Sequence, residues 1–194
     1  MLAIDERRLE TDLAYRFEYL CGFIGFRERD IAAIHAAAPA LARFVPGLVD
    51  AIYAQLFKYD ATLRHFLPAQ RGYDGDIPLT LDGITTDHPH ITVRKEHLGR
   101  YFATLLTKPY DGAMAEYLDW IGKIHTVATT ARLQIPLVQM NSLMGYMADA
   151  FHAIVLNLGL PREQEAVTLR AFSKLLWIQN DFISRHYVQA GWDQ

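Results

Sequence analysis

Two of the eight histidines in this chain lie within predicted helices among apolar neighbours, and they are the side chains best placed for metal chemistry. These two are His125 and His152; most of the others lie in polar or loop surroundings, or beside helix ends. A neutral imidazole can ligate a metal through one nitrogen while the other donates to a nearby carbonyl. We interpret His152 as a core or interface residue, whereas both a ligand and a core residue remain open for His125.

Gly122 precedes His125 by about one helical turn. A glycine inside a helix costs about 1 kcal/mol relative to alanine, so we expect something to approach the backbone there. A flat macrocycle such as haem is one candidate, with the second imidazole nitrogen donating to the carbonyl of Ile121. From spacing alone, a satisfied core histidine is the more common outcome.

Tyr53 lies on an otherwise apolar helical face beside Val49 and Ile52. A buried tyrosine hydroxyl usually finds a hydrogen-bond partner. That partner is either a bound diatomic ligand or a backbone carbonyl, and the sequence leaves both open.

A zinc site is the alternative use of histidine, suggested by His88, His90 and the following His97. Zinc needs three or four well-placed ligands, and no cysteine lies nearby. Asp87 and His88 fit better as caps of the following helix. No phosphate-binding loop, dinucleotide fingerprint or nucleophile motif occurs in the chain.

The elements that must position these residues are helices, because apolar residues recur at helical spacing and Pro and Gly fall mostly between the periodic segments. The helices are predicted at 4–24, 28–38 with Pro39 as the stop, 41–59, 90–107, 113–130, 136–158 and 162–187. Pro46 fits the first turn of the third helix better than its middle, which favours a start later than residue 41. Residues 67–89 are predicted to be irregular, with one short helical turn and either a functional or a surface-wrapping role. No segment is typical of a strand, so the predicted fold class is all-α.

Composition narrows the class of protein further. The chain has 194 residues, of which 51% are apolar, and a net charge of −3. A nucleic-acid partner is not indicated, because no global positive field exists. The single cysteine, Cys21, excludes an intrachain disulfide. The charged N-terminus and the lack of about 20 consecutive apolar residues argue against a signal peptide and a membrane span, so we expect a soluble cytoplasmic protein.

The chain resembles the protoglobins and the globin domains of globin-coupled sensors. The matching features are Gly25-Phe26-x-x-x-Asp30-Ile31, Val49-Asp50-x-x-Tyr53, Ile121-Gly122-x-x-His125 and two long final helices. Each motif is weak alone, but their order and separation make the match fairly specific. The resemblance implies a globin fold over a single domain, 1–194, with an extra N-terminal helix and long G and H helices.

The same resemblance implies haem b with His125 as the proximal iron ligand and Tyr53 on the distal side. The other pocket residues that it implies are Leu98, Tyr101, Phe102, Ile121, Tyr146 and Met147. Arg94 stands near where many vertebrate globins carry a distal histidine, and Ile52 replaces a tryptophan that many protoglobins have. The distal hydrogen bond should therefore come from Tyr53 or elsewhere.

The implied function is reversible binding of O2, CO or NO as a gas sensor or carrier, in a single-domain form with a separate signalling partner. One alternative is a haem enzyme, such as an NO dioxygenase or peroxidase-like protein. It would need an external reductase, because no flavin- or nicotinamide-binding segment is recognisable. The other alternative is a haem-free helical interaction module.

We also expect a homodimer through the last two helices. A helix in a monomer needs only one apolar stripe, whereas these helices are apolar on more than one side. The final helix carries Leu175, Leu176, Trp177, Ile178 and Phe182. The alternative is that the extra N-terminal helix covers this surface within one chain.

Overall fold

The computed structural model describes residues 2–68, 73–126 and 134–188, and within these ranges the chain is all-α with no strand. The helices are α1 Glu6–Thr11, α2 Leu13–Ile24, α3 Glu28–Ala42, α4 Val45–Leu56, α5 Asp60–Leu63, α6 Pro89–Thr107, α7 Gly112–Lys123, α8 Leu137–Leu156 and α9 Arg162–Val188. Short 3-10 turns occupy Arg64–Phe66 and Leu81–Gly83.

The N-terminal segment forms two helices, so the prediction of one helix over 4–24 was wrong. Asp12 separates them with an extended backbone, and its carboxylate accepts a hydrogen bond from the Tyr15 amide at 3.0 Å. An aspartate that caps a new helix in this way competes with continuation of the preceding one. Gly25 ends α2 in the left-handed conformation, with φ at 73°.

Helix α3 passes through Pro39, which was predicted to end it. The proline lies in the last turn, where only one hydrogen bond is lost, and Leu41 beyond it is almost fully buried. Burial of that side chain offsets the local cost. Helix α4 begins at Val45, with Pro46 in its first turn as predicted.

The predicted irregular region holds a single 3-10 turn and no α-helix over 73–88, and residues 69–72 lie outside the described ranges. Helix α6 begins within one residue of the prediction. His88 caps it, because its Nδ1 accepts a hydrogen bond from the His90 amide at 3.2 Å.

Helix α9 is the central helix of the fold and packs against α2, α3, α7 and α8. Because it has neighbours on several sides, Leu175, Leu176, Ile178 and Phe182 are all buried within the chain. Only Trp177 of the predicted dimer surface on α9 is exposed, with 68% of its surface accessible. The expectation that all five of these residues need a second chain was therefore wrong.

The motif that opens α3 connects the N-terminal helices to α9. The Asp30 carboxylate is buried, accepts from the Arg27 amide at 2.9 Å and pairs with the Lys174 ammonium at 2.8 Å. Lys174 also donates to the Gly25 carbonyl at 2.7 Å. A buried carboxylate is tolerated because it is both paired and hydrogen-bonded.

Among the described helices, none is by itself long and apolar enough to cross a membrane. The pair α3 and α4, bent by 83° relative to each other, meets the criteria of length and composition only when taken together.

Candidate functional site

His125 lies in a tight turn directly after α7 and not in mid-helix as predicted. Helix α7 ends at Lys123, and the amide of His125 donates to the Gly122 carbonyl at 3.3 Å. The amide of Thr126 likewise donates to the Lys123 carbonyl at 3.1 Å. Hydrogen bonds from an amide to the carbonyl three residues earlier are typical of the tightened last turn of a helix. The prediction that this helix extends to residue 130 was therefore wrong, because the α-helix has ended by residue 124. Residues 127–130 lie outside the described ranges.

The imidazole of His125 is oriented by one short hydrogen bond. Its Nδ1 lies 2.7 Å from the carbonyl oxygen of Ile121, the bond predicted for a ligating histidine. Since a carbonyl only accepts, Nδ1 must carry the proton and Nε2 must carry the lone pair. Nε2 makes no hydrogen bond to any residue in the described ranges. Burial lowers the pKa of His125, which favours the neutral ring.

Gly122 is needed for a helix crossing, which corrects the interpretation that a macrocycle approaches its backbone. A Cβ at Gly122 would lie 2.9 Å from Cα of Ile183 and closer still to the Phe182 carbonyl oxygen. The group that approaches Gly122 is therefore the backbone of α9.

Tyr53 is buried on α4, with its ring 5.7 Å from that of Phe66 and 6.5 Å from that of Phe57. No residue in the described part of the chain hydrogen-bonds the Tyr53 hydroxyl. The sequence left open a core tyrosine whose hydroxyl donates to a backbone carbonyl, but no carbonyl of the described residues accepts from Tyr53. Burial raises the pKa of Tyr53, so the hydroxyl keeps its proton and remains a donor.

One face of α6 carries the other residues that were predicted along this helix. Leu98 is partly buried against the core, and Arg94 lies one turn earlier. Phe102 is fully buried, with its ring 5.4 Å from that of Phe151. The Tyr101 hydroxyl donates to Oε1 of Gln179 at 3.3 Å. Any contact of Tyr101 with a ligand would therefore be made by its ring.

The remaining predicted pocket residues lie on α7 and α8. Met147 is buried, and Ile121 is partly buried against the core. The hydroxyl of Tyr146 donates to the Ala51 carbonyl at 3.4 Å and so links α8 to α4. The contribution of these residues to a pocket stays a prediction.

Phe66 was not among the sequence-predicted residues, although it lies beside both Tyr53 and Arg94. It belongs to a 3-10 turn immediately before the irregular region. Neither helical spacing nor a motif marks such a position in the sequence.

The histidines considered for zinc do not form a metal site in the described part of the chain, where no group of three or more metal-ligating side chains occurs. The Nε2 of His90 instead accepts a hydrogen bond from Nε of Arg94 at 3.0 Å. Burial lowers the pKa of His90 to about 4, so its ring is neutral at pH 7.

Comparison with solved structures defines the class of this fold. The globin domain of the Geobacter sulfurreducens globin-coupled sensor is similar, with a TM-score of 0.70 and 18% sequence identity. The match covers 88% of this chain and 96% of that domain. The fold is therefore that of a globin domain, with an extra N-terminal helix as predicted.

The family follows from the sequence. The model of the Protoglobin family matches residues 13–193, so the chain belongs to the protoglobin family. No curated protein matches the chain significantly.

Proposed function

We propose that this protoglobin binds one haem b through His125 and binds a diatomic gas, O2, CO or NO, on the opposite side of the iron. One observation carries the proposal: the Nδ1 of His125 is committed to the Ile121 carbonyl at 2.7 Å, which leaves the lone pair of Nε2 available. A hydrogen bond of this kind fixes the tautomer and the orientation of a ligating histidine. The neutral ring, favoured by burial, is the form that binds iron.

The residues present fit the group. A partly buried imidazole offers a lone pair, and a buried phenol offers a proton that no described residue accepts. When bound, haem supplies an iron with one coordination position open to a gas. Leu98, Tyr101, Phe102, Ile121, Tyr146 and Met147 would complete the apolar surroundings and exclude water.

Tyr53 would hold a proton toward the ligand. Because burial raises its pKa, its hydroxyl stays protonated throughout the physiological range. A ligand that carries partial negative charge gains more from such a donor than a less polar one does. Tyr53 would thus favour O2 over CO and slow its release.

The biological role that we propose is that of a gas sensor or carrier, with a separate signalling partner in the case of a sensor. The output would be a change in partner binding when a gas binds or leaves.

We further propose a homodimer through α8 and α9. Trp177 on α9 and Val138 on α8 are exposed, with 68% and 70% of their surfaces accessible. Gly145 lies on an exposed face of α8, and a Cβ there would have no atom within 4 Å. A glycine in a solvated helix face costs about 1 kcal/mol, and the close approach of a second helix would explain it. Protoglobins and sensor globins commonly pair in this way.

An absorption spectrum of the purified protein tests the haem proposal. We expect a Soret band in the ferric and ferrous states that shifts on addition of CO, with about one haem per chain by pyridine haemochrome assay. Protein expressed with ample haem that shows no Soret band would overturn the proposal and favour a haem-free helical module.

A further inference from the structure

The backbone of His125 is held on both sides of the residue. Its amide donates to the Gly122 carbonyl in the last turn of α7, at 3.3 Å. Its carbonyl accepts a hydrogen bond from the amide of Ile135 at 3.1 Å. Ile135 lies just before α8, which begins at Leu137. The backbone that carries the imidazole is therefore fixed in part by a residue outside α7.

Ile135 is itself held by Tyr187, in the last turn of α9. The Tyr187 hydroxyl donates to the Ile135 carbonyl at 2.7 Å. Burial raises the pKa of Tyr187 to about 12, so the hydroxyl keeps its proton at neutral pH and remains a donor. Ile135 precedes Pro136, and a residue before proline is restricted to extended backbone. With little freedom of its own, Ile135 passes a displacement at its carbonyl on to its amide.

The same end of α9 also contacts α7. A Cβ at Gly122 would lie 2.9 Å from Cα of Ile183, so the two helix backbones are in contact there. Nearly one turn further along α9, Nε2 of His186 lies 3.0 Å from Oδ1 of Asp119. The last turns of α9 therefore hold both α7 and Ile135, the two elements that fix the backbone of the candidate iron ligand.

We infer that Tyr187 is a positioning residue for His125 and acts through the backbone of Ile135. The inference rests on the proposed haem site and names a second determinant of the geometry of its iron ligand. The hydrogen bond from Nδ1 to the Ile121 carbonyl fixes the rotation of the imidazole ring. The bond from Tyr187 to Ile135 fixes the backbone from which that ring projects.

Resonance Raman spectroscopy of the ferrous protein tests the inference, because the Fe–His stretching band reports on the bond between iron and imidazole. In Tyr187→Phe, which removes only the hydroxyl, this band should shift or broaden, since the backbone of His125 is less restricted. Haem transfer from the ferric variant to excess apomyoglobin should become about twofold to tenfold faster, which is the effect of one neutral hydrogen bond.

Tyr110→Phe is the matched control. Tyr110 is also a partly buried tyrosine whose hydroxyl donates to a backbone carbonyl, that of Leu105. It lies at the other end of α7 from His125, because α7 begins at Gly112. The Fe–His band of Tyr110→Phe should match that of wild type, and its haem transfer should stay within about twofold.

A second measurement needs no haem. Hydrogen exchange of the Ile135 amide, followed by NMR in the apoprotein, reports on its bond to the His125 carbonyl. This amide should exchange about twofold to tenfold faster in Tyr187→Phe than in wild type, and at the wild-type rate in Tyr110→Phe.

An unchanged Fe–His band in Tyr187→Phe would overturn the inference. Faster haem transfer with an unchanged band would assign Tyr187 to the stability of the fold and not to the position of the ligand. Equal changes in Tyr187→Phe and Tyr110→Phe would also overturn it, because the effect would not be specific to the end of α7 that carries His125. Absence of a Soret band in wild type would overturn the proposed function instead. In that case the amide exchange decides, and an unchanged rate in Tyr187→Phe would show that Tyr187 does not hold this backbone.

Discussion

The carbonyl oxygen of Ile121 and Nδ1 of His125 lie 2.7 Å apart, at the point where α7 ends. This hydrogen bond makes the orientation of the imidazole ring depend on the last turn of α7. That last turn packs against α9, because Gly122 allows the two helix backbones to approach each other. The position of His125 therefore depends on a helix crossing as well as on its own hydrogen bond.

Gly122→Ala should destabilise the protein by about 1–3 kcal/mol, since the added methyl group would meet the backbone of α9. Urea denaturation monitored by circular dichroism measures the change. Gly99→Ala is the matched control, because a Cβ at this position in α6 meets no atom within 4 Å. That variant should be unchanged or more stable by up to about 1 kcal/mol. Equal stability of both variants would show that the crossing is looser than described.

Tyr53→Phe should accelerate O2 release on the order of tenfold to a hundredfold and change CO release much less, because O2 carries more negative charge when bound. Stopped-flow dissociation from the ferrous protein measures both rates. Tyr110→Phe removes a partly buried hydroxyl, one that donates to the Leu105 carbonyl, and should leave O2 release within about twofold of wild type. If Tyr53→Phe changes neither rate, the distal donor is a different residue.

The sequence predicted the family, the all-α fold and the order of the long helices, because apolar periodicity and the positions of Gly and Pro report on whole elements. The exact ends of helices were harder to predict, because at those sites continuation of a helix competes with capping or with a proline. Asp12 divides one periodic segment into two helices, and Pro39 does not end α3. In both cases the pattern of apolar residues continues across the site, and capping or packing decides the outcome.

In the candidate site, too, some features could be predicted from the sequence and others could not. The bond from His125 to Ile121 was predicted from spacing, and the close approach at Gly122 was also anticipated. The sequence could not tell that α9 is the group that approaches Gly122, because a glycine does not identify its neighbour. The positions of Phe66 and Arg94 depend on a turn and on tertiary contacts between distant segments, which no short-range pattern reports.

Breaking the buried ion pair between Asp30 and Lys174 should cost about 3–5 kcal/mol in Asp30→Ala, because a partly buried ammonium is left without its carboxylate. Chemical denaturation measures the loss. The double variant Asp30→Ala with Lys174→Met should be less destabilised than the sum of the two single variants. Additive losses would mean that the pair does not contribute as a unit.

Trp177→Glu should convert the proposed dimer to monomer, because it replaces an exposed apolar side chain of α9 with a charged one. Sedimentation velocity at micromolar concentration measures the mass. Trp120→Glu is the matched control, since Trp120 is a half-exposed tryptophan on α7, which is not one of the two helices of the proposed interface. It should remain dimeric. A wild-type mass of one chain would reject the dimer, and a dimer that survives Trp177→Glu would place the interface elsewhere.

The haem content of His125→Ala tests the central claim most directly. It should be compared with His152→Ala, since His152 is also a part-buried histidine, whose Nε2 lies 2.9 Å from the Ser173 hydroxyl. The account predicts that His125→Ala purifies without stoichiometric haem or with an altered Soret band, and that added imidazole restores a spectrum close to wild type in His125→Gly. His152→Ala should keep one haem per chain. An unchanged Soret band and haem stoichiometry in His125→Ala would contradict the assignment of His125 as the iron ligand.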